Sequence, residues 1–230
     1  TVISIDKKYY DILLPKILIQ HKKIILKKAD LPLKSPLRNF STQKYIGLKN
    51  LGATCYLNSL FQQMYMIPTF FKDLFSFNII DNVNEKENLM YSTIYNMQIT
   101  FANLQKSCMN FYSPNDFIKS FKTAFNGEPI RCGVQQDTDE FLAILCDELE
   151  KEAKKYGREN FLENSFKGKI SNEIVSLEDQ YPFYSQTEEP FLRITLDIKG
   201  HKNLEVALDA YIKDEILDGD FKEYPMPDPK

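Results

Sequence analysis

Residues Tyr45-Ile46-Gly47-Leu48-Lys49-Asn50-Leu51-Gly52-Ala53-Thr54-Cys55-Tyr56-Leu57-Asn58-Ser59-Leu60 set the reading of the whole chain. Two glycines punctuate a loop, and from Cys55 onward the apolar spacing becomes helical. Leu57, Leu60, Phe61 and Met64 fall at i, i+3, i+4 and i+7. Cys55 therefore stands at a loop-to-helix junction, where unpaired backbone N–H groups and the helix dipole create positive potential. Thiols in such places are drawn toward the nucleophilic thiolate. Gly52 lets a backbone come close to a substrate, and Asn50 carries an amide able to face an oxyanion. Two plainer readings stand beside these. A cysteine ahead of a helix is more often a buried structural residue, and Asn50 is equally a turn residue bonding its own loop.

Working outward, Pro68 ends or kinks the first helix. Met90, Ile94, Met97, Phe101 and Leu104 carry the helical period through a second one. Ser113-Pro114-Asn115-Asp116 reads as an N-cap, a first-turn proline and a capping-box acid ahead of Phe117, Phe121 and Phe125. Asp137 and Glu140 have the same capping spacing before Phe141, Leu142, Leu145 and Leu149, with Cys146 near that apolar face and Gly157 as the stop. Beyond Phe161 the period changes to two. Lys169–Ser176 and the strict alternation Leu192, Ile194, Leu196, Ile198 predict half-buried strands, and Asn203–Tyr211 predicts a closing helix. Helices followed by strands make an α+β arrangement.

At 230 residues, 43% hydrophobic and 27% charged, the composition is that of an ordinary folded chain. No apolar run nears the roughly 20 residues that span a bilayer. The four cysteines, Cys55, Cys108, Cys132 and Cys146, form no C-x-x-C pair and no disulfide framework. Reduced thiols of the cytoplasm or nucleus are the expectation. Residues 1–44 hold ten Lys/Arg against three Asp/Glu, leaving 19 against 29 in the remainder. A basic lead-in on an acidic body suits a nucleic acid or an acidic membrane surface. These lysines are interleaved with Ile and Leu, with no aromatic residue between Asp11 and Asn39, so a solvated linker or helix face is favoured instead. Pro32 and Pro36 interrupt the chain there. The expected organisation is a basic extension and linker over 1–44, a helical part with the cysteine segment over 45–165, and a strand-rich part over 166–230.

The exact residues go further. The run resembles the cysteine box of the ubiquitin-specific protease family, G-L-x-N-x-G-x-T-C-Y-x-N-S, at Gly47, Leu48, Asn50, Gly52, Thr54, Cys55, Tyr56, Asn58 and Ser59, continued by Gln62 and Gln63. Gly133-Val134-Gln135-Gln136-Asp137-Thr138-Asp139-Glu140-Phe141-Leu142 is similar to the family's Q-Q-D-x-x-E-F box. The resemblance implies a papain-like α+β cysteine-protease fold, a helical thumb followed by part of a β-rich fingers and palm region. It implies a thiol-dependent deubiquitinase that needs no cofactor. Cys55 becomes the nucleophile and Asn50 an oxyanion donor. Gln136, Asp137 and Glu140 bind the tail of ubiquitin, the implied partner, while the capping role of Asp137 and Glu140 stands beside that.

The sequence also departs from the family. Its histidine lies in a late G-H-Y segment, but only His21 and His201 occur here and neither matches it. The expectation is a catalytic domain cut before the histidine box and inactive alone. The alternative is a non-catalytic ubiquitin-binding module, against which the presence of both Cys55 and Asn50 argues. Where the family often has a zinc-binding C-x-x-C, this chain reads Ile174-Val175-Ser176-Leu177, so no metal is expected there.

Overall fold

The computed structural model describes residues 45–79, 89, 91–107, 109–121, 128–163, 165–177, 180 and 182–216. The basic lead-in, His21, Met90, Cys108, Phe125 and everything after Ile216 lie outside the described residues. The chain divides into two compact units, one ending at Gly168 and the other beginning at Lys169.

The first unit is built on helices. A short strand β1 (Gly47–Leu48) leads to α1 (Cys55–Tyr65), α2 (Pro68–Phe75) and α3 (Thr93–Lys106), then β2 (Phe111–Tyr112), α4 (Asn115–Ser120) and α5 (Thr138–Lys154). Pro68 does end α1, and it also opens α2 from the first helical position, where its missing N–H costs nothing. The expected cap at Ser113 is corrected: Pro114 takes the N-cap position without any side-chain cap, and α4 starts one residue later. Its predecessor Ser113 is pushed toward extended backbone by the proline ring. Phe117 and Phe121 do share one buried face, with rings stacked at 5.5 Å.

Aromatic rings hold these helices together. Phe61 of α1 packs edge-on to Phe117 at 4.6 Å and to Phe101 of α3 at 6.2 Å. Tyr56 meets Phe141 of α5 edge-on at 5.2 Å. Each fully buried side chain of this size contributes about 1.5–3 kcal/mol from apolar burial. Polar groups fix the angles between the helices. Gln98, buried in α3, donates to the carbonyls of Leu74 (2.8 Å) and Phe77 (3.0 Å) at the end of α2. Glu152 of α5 accepts the N–H of Ile94 at 3.0 Å and the hydroxyl of Ser92, placing a carboxylate at the positive N-terminus of α3.

α5 ends as expected: Gly157 takes φ +68°, and its neighbour Arg158 donates its N–H back to Ala153. Cys146 is buried on the inner face of α5, as its spacing implied.

In the second unit β3 (Gly168–Val175) pairs with β4 (Tyr184–Phe191). Lys169 pairs with Glu188 and Gln186 with Ser171, so the partners run in opposite order and the strands are antiparallel. The expected strand through Leu192–Ile198 is corrected: β4 ends at Phe191 just before it, and no ladder continues. The alternation holds only in part: Leu192, Ile194 and Leu196 are half-buried between exposed Arg193, Thr195 and Asp197, but Ile198 is exposed, against expectation. An extended pleat without a paired neighbour is not a strand. α6 (Leu204–Tyr211) follows, capped by Asn203, whose side-chain oxygen accepts the Val206 N–H at 3.0 Å.

Candidate active site around Cys55

Local hydrogen bonds shape the loop ahead of Cys55. The Asn50 Oδ1 accepts from the N–H of Gly52 (3.0 Å), the N–H of Thr54 (3.1 Å) and the Thr54 hydroxyl (3.2 Å). Thr54, itself buried, accepts the Leu51 N–H on its Oγ1 at 3.0 Å. Asn50 is thus the turn residue of the plainer reading, and the same bonds leave its amide Nδ2 without a described acceptor. Because Thr54 is occupied in the loop, α1 starts with no side-chain cap. Its first N–H groups stay available to an incoming anion. Cys55 is the first residue of that helix, and it is exposed, which removes the reading of a buried structural cysteine.

The box residues downstream of Cys55 act on the strand before it. Asn58 donates to the carbonyls of Leu48 (3.3 Å) and Lys49 (3.2 Å), and Gln62 donates to that of Ile46 (3.0 Å). β1 in turn pairs parallel with β2, Gly47 opposite Phe111 and Leu48 opposite Tyr112. The loop is therefore anchored on one side to its own helix and on the other to the sheet.

A third anchor was not foreseen. Gly52 sits at φ +99° and Gly133 at φ +95°, both in the left-handed region. The Gly133 N–H donates to the Gly52 carbonyl at 2.7 Å. A Cβ on Gly52 would lie 3.2 Å from the Gly133 nitrogen, so only glycine lets the two loops approach this closely. Ala53 adds a second left-handed residue to the cysteine loop, at φ 48°. The sequence signal was the pair of glycines in the two boxes, but nothing in it showed that they face one another.

That contact brings the start of the second box against the cysteine loop. Asp137 is the N-cap of α5, its Oδ1 accepting from the N–H of Asp139 (2.7 Å) and of Glu140 (3.2 Å). Asp137 and Glu140 are exposed and Gln136 is half-buried, so all three present polar atoms at the entry to α5. Tyr56 lies between the boxes, ring against Phe141. Burial, and then the neighbouring thiols of Cys132 and Cys55, push its phenol above the ordinary range. His201 is half-buried in a turn after Gly200, in the second unit.

This loop, the uncapped helix start and the exposed thiol fall within a stretch that known proteins share. Residues 46–216 match the family model described as ubiquitin carboxyl-terminal hydrolase, and the chain belongs to that family. Over 184 residues, 80% of this chain, it is 34% identical to ubiquitin carboxyl-terminal hydrolase 24 of Mus musculus. It is 32% identical over 77% of its length to the human ubiquitin carboxyl-terminal hydrolase 34. To ubiquitin carboxyl-terminal hydrolase 5 of Schizosaccharomyces pombe it is 34% identical over 76%. The chain spans 7%, 5% and 15% of those three proteins. The family and the α+β fold expected from the two boxes are borne out.

Proposed function

We propose that Cys55 is the nucleophile of a deubiquitinase, attacking the carbonyl after ubiquitin's C-terminal glycine in an isopeptide or peptide bond. The observation that carries this is the exposed thiol on an uncapped helix start, beside an asparagine whose carbonyl oxygen is held by three bonds. Such a fixed amide offers its Nδ2–H to the oxyanion without reorganising during the reaction. Gln136, Asp137 and Glu140 hold the extended ubiquitin tail by hydrogen bonds, a reading supported by the exposed carboxylates of Asp137 and Glu140 and the half-buried amide of Gln136 at the entry to α5. A carboxylate oxygen of Asp137 remains for a peptide or arginine donor after its Oδ1 has capped α5. The four cysteines and the substrate fit the reducing cytoplasm or nucleus.

Neither His21 nor His201 is assigned as base. Expelling a lysine amine needs a general acid. Loss of the base costs hydrolases on the order of 10⁴ to 10⁶ in rate. Residues 1–230 by themselves are therefore expected to present the nucleophile without turnover.

The test uses ubiquitin bearing a C-terminal alkyne electrophile, which traps a positioned thiol without a leaving group. The expected product is a single adduct on Cys55, absent in Cys55→Ala and weakened in Asp137→Ala, with di-ubiquitin left uncut. An adduct on Cys132, or equal labelling by a ubiquitin lacking its tail arginines, overturns the assignment.

A further inference from the structure

Cys132 has no role in the reaction proposed above, yet it is exposed like Cys55 and sits next to Gly133. The Gly133 N–H bonds the Gly52 carbonyl at 2.7 Å, and the Cys132 carbonyl carbon lies 3.9 Å from where a Gly52 Cβ would be. Cys55 follows three residues later on the same tight loop. Two accessible thiols are thus carried on loops that already touch. Both also act on the Tyr56 phenol, which supports their closeness. The third described cysteine differs. Cys146 is buried in α5, and burial, reinforced by Glu150 and opposed by Lys167, pushes its thiol up to about 12.

We propose that Cys132 is the resolving thiol for oxidised Cys55, making the cysteine loop a reversible peroxide-sensitive modification site. The Cys55 thiolate attacks a hydroperoxide oxygen; the O–O bond breaks, leaving Cys55 sulfenic acid and an alkoxide or hydroxide that takes a proton from solvent to leave as alcohol or water. The Cys132 sulfur then attacks the Cys55 sulfur. The S–O bond breaks, and the departing hydroxide takes the Cys132 proton to leave as water. Two thiols have lost two electrons, and the hydroperoxide has accepted them. A low-molecular-weight dithiol reverses the bond by exchange. The disulfide requires Cα atoms about 4–7 Å apart, a separation within reach of loops joined by a direct backbone bond. Its value is protective, because a sulfenic acid without a partner goes on to the irreversible sulfinic acid. The inference holds whether or not Cys55 is a catalyst.

The experiment treats the 1–230 chain, in a Cys108→Ser background, with hydrogen peroxide, then with dimedone to trap sulfenic acid. Peptides are mapped with and without dithiothreitol. The expected product is a reducible Cys55–Cys132 linked peptide with little dimedone adduct. Cys132→Ser and Cys132→Ala should both lose that peptide and accumulate at least several-fold more adduct on Cys55. Circular dichroism on both variants separates this from misfolding. Equal adduct in all three proteins, a link through Cys146, or oxidation of Cys132 without Cys55 overturns the proposal.

Discussion

Replacing Asp137 with alanine separates two roles that the sequence assigned to one residue. In the structure its Oδ1 accepts two N–H groups, those of Asp139 and Glu140, at the start of α5. Removing a side-chain N-cap costs about 0.5–2 kcal/mol. α5 buries Phe141, Leu145, Leu149 and Ala153 against the other helices, so fraying its first turn is felt by the core at Phe141. For a domain of roughly this size, 1 kcal/mol lowers Tm by about 2–4 °C. Asp137→Ala is therefore expected to melt a few degrees early. Asp137→Asn keeps an acceptor oxygen for the same N–H groups and loses only the charge. That charge is worth about 0.3–1 kcal/mol against the helix dipole and fades with salt. Thermal unfolding of the three proteins at low and high salt is the assay. The deficit of Asp137→Ala should persist in salt while that of Asp137→Asn largely disappears. Labelling by the ubiquitin electrophile should drop for both if, as proposed, the carboxylate holds the tail. If Asp137→Ala melts like the parent, the cap bonds contribute nothing and the reasoning is refuted. If Asp137→Asn labels normally, the carboxylate does not hold the tail.

Two further perturbations follow from the same geometry. Gly52→Ala forces a Cβ to 3.2 Å from the Gly133 nitrogen at φ +99°, whereas Gly133→Ala meets no atom within 4 Å at φ +95°. Both carry left-handed strain of about 1–3 kcal/mol, so Gly52→Ala should melt lower of the two; the reverse order in calorimetry would show that the loops do not press together there. Cys146 gives a pH signature. Its folded thiol is held up to about 12 from 9.0, so the contribution is whole below about 9 and is lost as pH rises toward about 12, where the unfolded chain ionises first. Cys146→Ala should lose stability less steeply over that window, and an unchanged slope in urea unfolding counts against a buried neutral thiol.

What the sequence disclosed was local chemistry. Capping by Asp137 and the stop at Gly157 depend on neighbours a few residues away, and these were legible from spacing alone. The Leu192–Ile198 stretch shows the limit. Alternation states which side chains turn inward, but a strand also needs a partner, and pairing is not written in the segment itself. The cysteine segment was recognisable residue by residue, and Asn50 is the turn residue of one reading, its oxygen occupied by loop bonds, while the oxyanion role of its nitrogen stays a proposal. The contact between Gly52 and Gly133 stayed hidden, because a glycine in sequence announces freedom and not what will come close. The roles of Asn58 and Gln62 were hidden for a related reason. Polar residues on a helix do not name the backbone they hold.

Those two side chains bear on the order in which the site assembles. Their bonds to the strand carbonyls close separations of only 9, 10 and 16 residues. Short closures cost little chain entropy and form early. The Gly52–Gly133 bond and the β1–β2 pair close far longer loops. The expected order of folding therefore puts Cys55 on a formed helix before the loop around it is fixed, which pulse-labelling hydrogen exchange would check. Protection of the Gly133 amide from hydrogen exchange is a direct gauge of the finished site, whereas the helicity of α1 is not.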